Sequence, residues 1–484
     1  MKLIFEYEQQ TTGYLSDEDI PIILPQDLTR NELPLPNVSE IDVIRHYTNL
    51  SKKNFGVDLG FYPLGSCTMK YNPKINEDVA KLEGFRDLHP FSKEDCVQGA
   101  LQLMWELEQH LKEITGMDAF SLQPAAGAQG ELLGIMIAKA YFKQKNEKRT
   151  KAIIPDSAHG TNPATAAMCK CETIVIPSDS RGNMDLQKFK QSLSSDVAVV
   201  MLTNPNTLGL FEENILEICD FAHKSGTLMY CDGANMNALL GITRPGDQGF
   251  DMIHLNLHKS FSTPHGGGGP GAGVLGVKSF LSNYLPIPWV LKEDGKFVMH
   301  NERGKSVGRV LSFYGNFGML VRAYSYILSW GTNIRKVSEY AVLNANYLLS
   351  LLRAYYELPY NRMCAHEFVL SSRKFGEKSA LNIAKRLLDY GFHPPTIYFP
   401  LIVREALMIE PTETESKETL DKFASALRSI ANEIKENPKL VNAAPYTTPV
   451  GRLDEVTAAR KPNLRWFPST QINDNDEDLQ KLKT

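Results

Sequence analysis

The sequence predicts a doubly wound α/β domain with a mostly parallel sheet, preceded by an irregular arm and followed by a smaller C-terminal α/β domain. Three observations carry that expectation. Short apolar runs between residues 125 and 277 alternate with helical stretches, the pattern of strands buried on both faces of a parallel sheet. Several of those runs end in polar residues, and open α/β sheets bind ligands beyond the carboxyl ends of their strands. The chain has 484 residues, more than one domain of roughly 100–200 residues needs. The expected boundaries are 1–90 for the arm, 91–330 for the large domain and 331–484 for the small one.

The elements follow in order. The arm is rich in Pro, Asn and Gly and should hold only a few short helices. A helix is then expected with Ser92 as its cap and Asp95 in a box-like position. Val97, Leu101, Met104, Leu107, Leu111 and Ile114 recur at helical spacing, and Gly116 ends the run. Strands are expected at Ala152–Pro155, Thr173–Pro177, Val197–Thr203, Leu228–Cys231, Met252–Leu257 and Gly273–Val277. Helical stretches such as Asn162–Lys170, Leu186–Leu193 and Asn214–His223 lie between them. The apolar segment Phe313–Trp330 reads as a buried helix leading into the small domain. There, helices at Val337–Tyr355, Ala380–Tyr390 and Lys417–Glu436 accompany strand-like Thr396–Phe399 and Ala406–Glu410. The charged tail after Pro468 is expected to be mobile.

Composition excludes some classes of function. A formal charge of −4, from 52 basic and 56 acidic residues, gives no support to a phosphate-neutralising, nucleic-acid-binding surface. No run approaches the roughly 18 uninterrupted apolar residues of a membrane span. The segment Met1–Glu8 meets acidic residues too soon for a signal peptide. The seven cysteines include no C-x-x-C pair, so reduced thiols in a soluble cytoplasmic protein are expected.

Four strand ends carry candidate chemistry. Pro124–Glu131, with small residues Gly127 and Ala128 before Gln129, opens a helix. Its exposed N–H groups and dipole suit a phosphate, although a loop made small for packing reads the same way. In Asp156–Pro163, His159 could lie flat on an aromatic cofactor ring or be an ordinary hydrogen-bonded loop histidine. Asn204, after Val197–Thr203, could donate to a phenolate oxygen or merely mark an Asn-Pro turn. Asp232, at the start of Asp232-Gly233-Ala234-Asn235, could cap a helix or keep a pyridine nitrogen protonated. One unit later, Met252–Leu257 runs into His258 and Lys259. A lysine at the mouth of a buried strand is a candidate Schiff-base nucleophile. Together the elements specify pyridoxal phosphate better than any one alone. Two other signals lack their context. The glycines of 266–273 enter a strand rather than opening a helix, so they are no dinucleotide fingerprint. His254 and His258 sit on a strand without an intervening carboxylate, so no zinc site is expected.

These residues carry a likeness. Leu64–Pro73, Gln123–Glu131, Ser157–Ala164, Asp232–Asn237, Leu255–Lys259, His265–Gly271 and Val450–Asp454 resemble the glycine decarboxylase (P-protein) family of the glycine cleavage system. The likeness runs from about Lys2 to Arg465, and the length resembles the second subunit of the split, two-subunit form. The resemblance implies fold type I of the pyridoxal enzymes, with glycine as substrate. It also implies a homologous partner subunit without the cofactor, in a two-plus-two heterotetramer, and a lipoylated H-protein as carrier. By matching positions it implies that Lys259 bonds the cofactor and moves protons. Asp232 then pairs with the pyridine nitrogen, His159 stacks on the ring and Asn204 approaches the 3′ oxygen. Gly127, Ala128 and Gln129 hold the phosphate, helped by His258, and Ala234 is a further cofactor contact. The glycines 266–271 would touch the cofactor or the partner. Arg452, Arg460 and Arg465 read as structural or carrier-facing residues, and Cys67 as a packed thiol or a redox-sensitive one. Alternatives are a simple amino-acid decarboxylase, a cysteine desulfurase, for whose mobile catalytic cysteine Cys364 lacks the loop context, or a scaffold subunit without chemistry, against which Lys259 argues.

Overall fold

The computed structural model describes residues 3–7, 24–29, 38–89, 92–266, 271–462 and 464. The expected tail after Pro468, Arg465 and glycines 267–269 lie outside the described residues. Two compact units emerge, Met1–Gly56 with Arg452–Thr484, and Val57–Gly451. In the first, Ser39 caps helix Glu40–Ser51 by accepting from Asp42 N–H, and Asp454 caps helix Glu455–Arg460 through Thr457 N–H. Both caps satisfy backbone donors that a helix start leaves unpaired.

The second unit holds a seven-stranded sheet. Its strands are β1 (Ala119–Ser121), β2 (Lys151–Pro155), β3 (Glu172–Ile176), β4 (Val197–Thr203), β5 (Leu228–Asp232), β6 (Met252–Asn256) and β7 (Gly273–Val277). Their order is β1-β7-β6-β5-β4-β2-β3. From β6 to β3 every pairing is parallel, while β7 runs antiparallel to β6 and to β1. Every residue of β4, β5, β6 and β7 is buried, which is why these segments read as unbroken apolar runs rather than alternating ones. Because β2 leads to the edge strand β3 and β4 returns to its other side, the chain reverses direction across the sheet between β2 and β4. Ligand crevices open at such points.

A hairpin of β8 (Trp289–Glu293) and β9 (Lys296–His300) follows, and then helices Phe317–Trp330 and Arg335–Leu352. A second, antiparallel sheet contains β10 (Phe368–Ser371), β11 (Thr396–Ile397) and β12 (Ala406–Ile409) in the order β10-β12-β11. Helices Ser379–Asp389 and Lys417–Glu436 cover it with Ile383, Leu387, Phe423, Leu427 and Ile430, all fully buried. Each such side chain contributes about 1.5–3 kcal/mol by leaving water.

One expected cap fails. Helix Gln98–Thr115 starts after a short turn, Glu94–Cys96, and Val97 caps it without a side-chain bond. Ser92 and Asp95 do not cap it, because the hairpin recruits this segment. Glu94 accepts from Met299 N–H, Gln98 exchanges two bonds with the Phe297 backbone, and Asp95 pairs with Lys296. Gly116 ends the helix in the left-handed region as expected (φ 73°). The buried helix begins at Phe317 rather than Phe313. Before it, Gly315 adopts φ 107°, and a Cβ there would run into the Leu122 carbonyl, a place for glycine only.

Candidate functional site

Four parallel strand ends and one helix start converge on a cavity of about 140 Å³. It is lined by Ala126 and Ala128, by His159 and Thr161 after β2, by Thr203 and Thr207 after β4, and by Asp232, Ala234 and Asn235 after β5. His254, Asn256 and Lys259 complete it from β6 and the single helical turn Leu257–Ser260, with Ser66 and Glu131. The placement is a consequence of the parallel strands β2, β4, β5 and β6, whose carboxyl ends all fall at one edge of the sheet.

Asp232 sits at the floor, 2 % exposed. Burial alone would raise its carboxyl, but His254, the Ala234 N–H, Asn162 and Lys259 outweigh that and hold it below its ordinary value. Ala234 N–H donates to it at 3.0 Å, Asn162 Nδ2 at 3.1 Å, and His254 Nε2 lies 3.2 Å away. Burial pushes His254 down, so the ring is neutral. Tyr230, whose hydroxyl burial keeps protonated, stands 2.7 Å from His254 Nδ1. The tautomer follows: Tyr230 donates to Nδ1, and Nε2–H donates to Asp232. A carboxylate is thereby kept ionised in a dry pocket, ready to hold a cationic ring nitrogen.

Beside it, Glu131 is driven the other way. Burial first, and then the charge of Asp232, raise its carboxyl to about 8. Thr161 Oγ1 and Asn162 Nδ2 donate to it at 2.8 and 2.9 Å. Two neighbouring acids with opposed shifts divide one proton between them. Glu131, Asp232 and His254 bring ligand-type atoms within 4.8 Å of one another, but the bonds just given engage all three as a hydrogen-bond network.

The other sequence-predicted residues fall in three groups. Lys259, His159, Asp232, Ala128 and Ala234 line the cavity. His159 Nδ1 lies 2.8 Å from Thr161 Oγ1, Phe399 meets its ring edge-on at 5.5 Å, and burial lowers its basicity, so it presents a neutral face. Gly127 and Gln129 shape the loop from behind. A Cβ at Gly127 would run into the Asn256 amide, while Gln129 accepts from Ala125 N–H and donates to the Val310 carbonyl. Asn204 and His258 are not among the lining side chains. Asn204 Oδ1 accepts from Glu212 N–H at 3.0 Å, leaving its buried Nδ2 without a partner. His258, pushed down to about 4 by burial and by Lys259, faces the Ala272 carbonyl at 3.2 Å and the Asn256 amide at 3.4 Å.

The donor set fits pyridoxal phosphate. Helix Gly127–Gln144 opens toward the cavity with no side-chain cap of its own, as an anion site at a helix start requires. Thr203 Oγ1, Asn235 Oδ1 and Asn256 Oδ1 are buried lining atoms without hydrogen-bond partners, so a polar occupant completes them. Sequence reading assigned no role to Glu131, Tyr230, Asn162 or Thr203. For His254 the signal was present: it pairs in register with Asp232 and shares a strand face with Asn256. The desulfurase alternative loses its nucleophile, since burial pushes the Cys364 thiol up to about 12. Burial also raises the Cys67 thiol, which disfavours its thiolate.

Residues 9–290 match the family described as glycine cleavage system P-protein, and residues 337–444 match the C-terminal domain of glycine dehydrogenase. The chain is 60 % identical over 476 residues to a "probable glycine dehydrogenase (decarboxylating) subunit 2" of Caldanaerobacter subterraneus, covering 96 % of this chain and 98 % of that protein. It is 59 % identical over 481 residues to the protein of that description in Desulforamulus reducens, covering 96 % and 99 %. Among solved structures, an inhibitor-bound glycine decarboxylase (P-protein) aligns with a TM-score of 0.71 at 21 % identity, over 86 % of this chain and 95 % of that one. Lactobacillus brevis glutamate decarboxylase aligns at 0.65 and 12 % identity, over 85 % and 96 %. At these identities the structural likenesses speak for the fold alone.

Proposed function

The chain belongs to the glycine cleavage system P-protein family, and from that premise we propose that it is the cofactor-bearing subunit of a glycine dehydrogenase (decarboxylating). It has the type I fold of the pyridoxal-phosphate enzymes. It decarboxylates glycine, releases carbon dioxide and passes the aminomethyl remainder to the lipoyl group of the H-protein. The observation that carries this reading is Lys259, which shares a buried cavity with an ionised Asp232 and a neutral His159.

Pyridoxal phosphate supplies the electron sink into which the bond to the departing carboxylate empties. The chain's own residues do the rest. Lys259 holds the cofactor and shuttles protons at its Nζ. Asp232 keeps the ring nitrogen protonated, because its charge is fixed by four neighbours. His159 covers one ring face, and the Gly127–Ala128 backbone meets the phosphate, with Gln129 bracing that loop. Asn204, outside the cavity lining but with its buried Nδ2 unpaired, would be the group to approach the 3′ oxygen, and His258 lies beside the Asn256 amide. A carboxylate that must leave is not to be gripped by a bidentate arginine, and no arginine is among the lining residues of the cavity.

The designation "subunit 2" of the relatives supports a homologous partner subunit. We extend that to two copies of each chain, with Arg452 and Arg460 on a surface offered to the carrier, in the cytoplasm. Among the described residues no helix is long and apolar enough to cross a membrane.

An absorption spectrum of the purified chain, with and without its partner, tests the assignment. The expected result is an imine band, fixed by borohydride onto the peptide containing Lys259. Lys259→Ala is expected to abolish that band and the exchange of bicarbonate into glycine, while the far-ultraviolet circular dichroism stays unchanged. Exchange retained by the variant sinks the assignment.

A further inference from the structure

Beside the cavity lies a cluster that the chemistry above does not use. Glu367 and Glu410 flank β10 and β12, and the register Phe368↔Ile409 sets them opposite one another. Both are fully buried, as is His366. Two acids facing each other across paired strands are unfavourable when both are ionised, and burial, with the charge of Glu410 acting on Glu367, raises both carboxyls, so this arrangement calls for a purpose. His366 Nε2 lies 3.6 Å from Glu367 and 4.0 Å from Glu410. Neither ring nitrogen has a hydrogen-bond partner, and burial pushes the ring down to about 3, which makes it neutral filling rather than a counter-charge.

The carboxylates meet the segment Leu64–Thr68. Glu367 Oε2 accepts from Ser66 N–H at 2.7 Å, and Glu410 Oε2 accepts from Thr68 N–H at 2.9 Å. Both donors are non-glycine residues in the left-handed region, with φ 65° and 50°, a conformation that persists only when its surroundings enforce it. Further bonds tie Gly65 to the small sheet, from its N–H to the Met408 carbonyl and from Thr396 Oγ1 to its carbonyl. Just beyond it, Lys70 donates its N–H to the Thr68 carbonyl and its Nζ to the Ser260 carbonyl, next to Lys259. Ser66, at the centre of the clamped stretch, is a wall of the Lys259 cavity.

We propose that Glu367 and Glu410 are positioning residues that clamp the 64–68 loop against the Lys259 cavity, and that the wall so fixed admits glycine and turns away amino acids with side chains. The inference rests on reading that cavity as the site of glycine chemistry. Two acceptors are needed because two strained N–H groups, on either side of Cys67, must both be held. Ionised or neutral, a carboxyl oxygen serves as acceptor. Glutamine therefore substitutes for glutamate at these positions, and alanine does not.

The experiment uses the chain in complex with its partner subunit and lipoylated carrier. Glycine and alanine are compared by exchange of labelled bicarbonate, and the Ser66 and Thr68 amides are followed by hydrogen exchange. Glu367→Ala and Glu410→Ala are expected to raise the KM for glycine more than they lower kcat. They should also reduce discrimination against alanine about tenfold, the scale of one methyl group in a pocket, and unprotect both amides. Glu367→Gln and Glu410→Gln are expected to restore all three properties. Gly65→Ala, whose Cβ would collide with Met408, displaces the loop without touching either acid and should relax selectivity in the same direction. Folded alanine variants with unchanged discrimination and protection overturn the proposal, as do glutamine variants as impaired as the alanine ones. If the alanine variants do not fold, Gly65→Ala decides: unaltered discrimination overturns the proposal. Amide protection is read without turnover, so an unsubstituted complex with protected amides but no exchange points instead to failure of the glycine reading.

Discussion

Asp232 and Glu131 are two carboxyl groups in one pocket with opposite fates, and the difference lies in their donors. Asp232 has an N–H, an amide and an imidazole around it, whereas Glu131 has a hydroxyl and an amide and faces the charge of Asp232. The consequence for stability has a definite sign. Between its ordinary value of 4.5 and its folded value of about 8, Glu131 keeps a proton in the folded chain that the unfolded chain has released. Stability from this group is therefore complete below 4.5 and is lost as pH rises toward 8. Asp232 works the other way: lowered in the fold, its contribution stands above its ordinary 3.8 and falls away in acid below that. In the cofactor-free chain, the thermal midpoint is expected to drop between about pH 5 and about pH 8, and Glu131→Gln is expected to flatten that drop. Thermal scans at the two pH values, with and without the substitution, check it; equal slopes refute the assignment of the proton to Glu131.

Elements show which parts of the molecule sequence pattern can reach. Strands β4 and β7 match their expected bounds to the residue, and β2, β3, β5 and β6 are each displaced by one residue at one or both ends. All but the edge strand β3 lie inside the sheet and are almost wholly buried, so composition alone marks them, and β3 is marked by its apolar run Thr173–Ile176. The three residues of β1 escape notice because their pairing with β7 is a long-range event with no local signature. The β8–β9 hairpin escapes although it does carry a local signal, the two-residue turn Asp294-Gly295 with φ 47° and 82°. That hairpin takes Asp95, one of the two residues expected at the cap of helix Gln98–Thr115, and its neighbour Glu94, so local capping logic yields to tertiary pairing there. In the site, residues on loops with unusual composition were legible: Lys259, Asp232, His159 and the Gly127 turn. Tyr230 and Glu131 were not, because in sequence they look like ordinary members of a strand and a helix. The start of helix Gly127–Gln144 also yields a test. Gly127→Ala drives a methyl group into the Asn256 amide, which must move the helix start off the cavity. The expected outcome is a cofactor dissociation constant raised by at least about tenfold, or roughly 1.4 kcal/mol, with the circular dichroism of the wild-type chain. Fluorescence titration with pyridoxal phosphate measures it, and unchanged affinity removes this helix start from the phosphate site.

At the scale of the second compact unit, a single buried ammonium joins parts that are distant in sequence. Lys70 Nζ is 2.7 Å from Glu413, 3.0 Å from the Ser260 carbonyl and 3.2 Å from the Tyr326 hydroxyl. The pair is 1 % and 4 % exposed. It therefore ties the segment before the large sheet to helix Phe317–Trp330, to the turn that carries Lys259, and to the strand-end loop after β12. A buried pair of this kind is no large net source of stability, since taking both charges out of water costs about what their attraction returns. Breaking it is another matter, because the surviving charge stays buried and alone. Lys70→Ala is expected to destabilise the chain by about 3–5 kcal/mol, whereas Lys70→Met combined with Glu413→Leu is expected to recover most of that loss. Stability and function should then part company in the double variant. The apolar pair holds the fold but gives up the bond to the Ser260 carbonyl, so the turn bearing Lys259 is anchored less firmly. Denaturant midpoints near wild type, together with faster loss of pyridoxal phosphate, are the expected result for the double variant. A double variant as unstable as Lys70→Ala would mean that the ion pair itself, rather than the avoidance of a lone buried charge, holds these segments together.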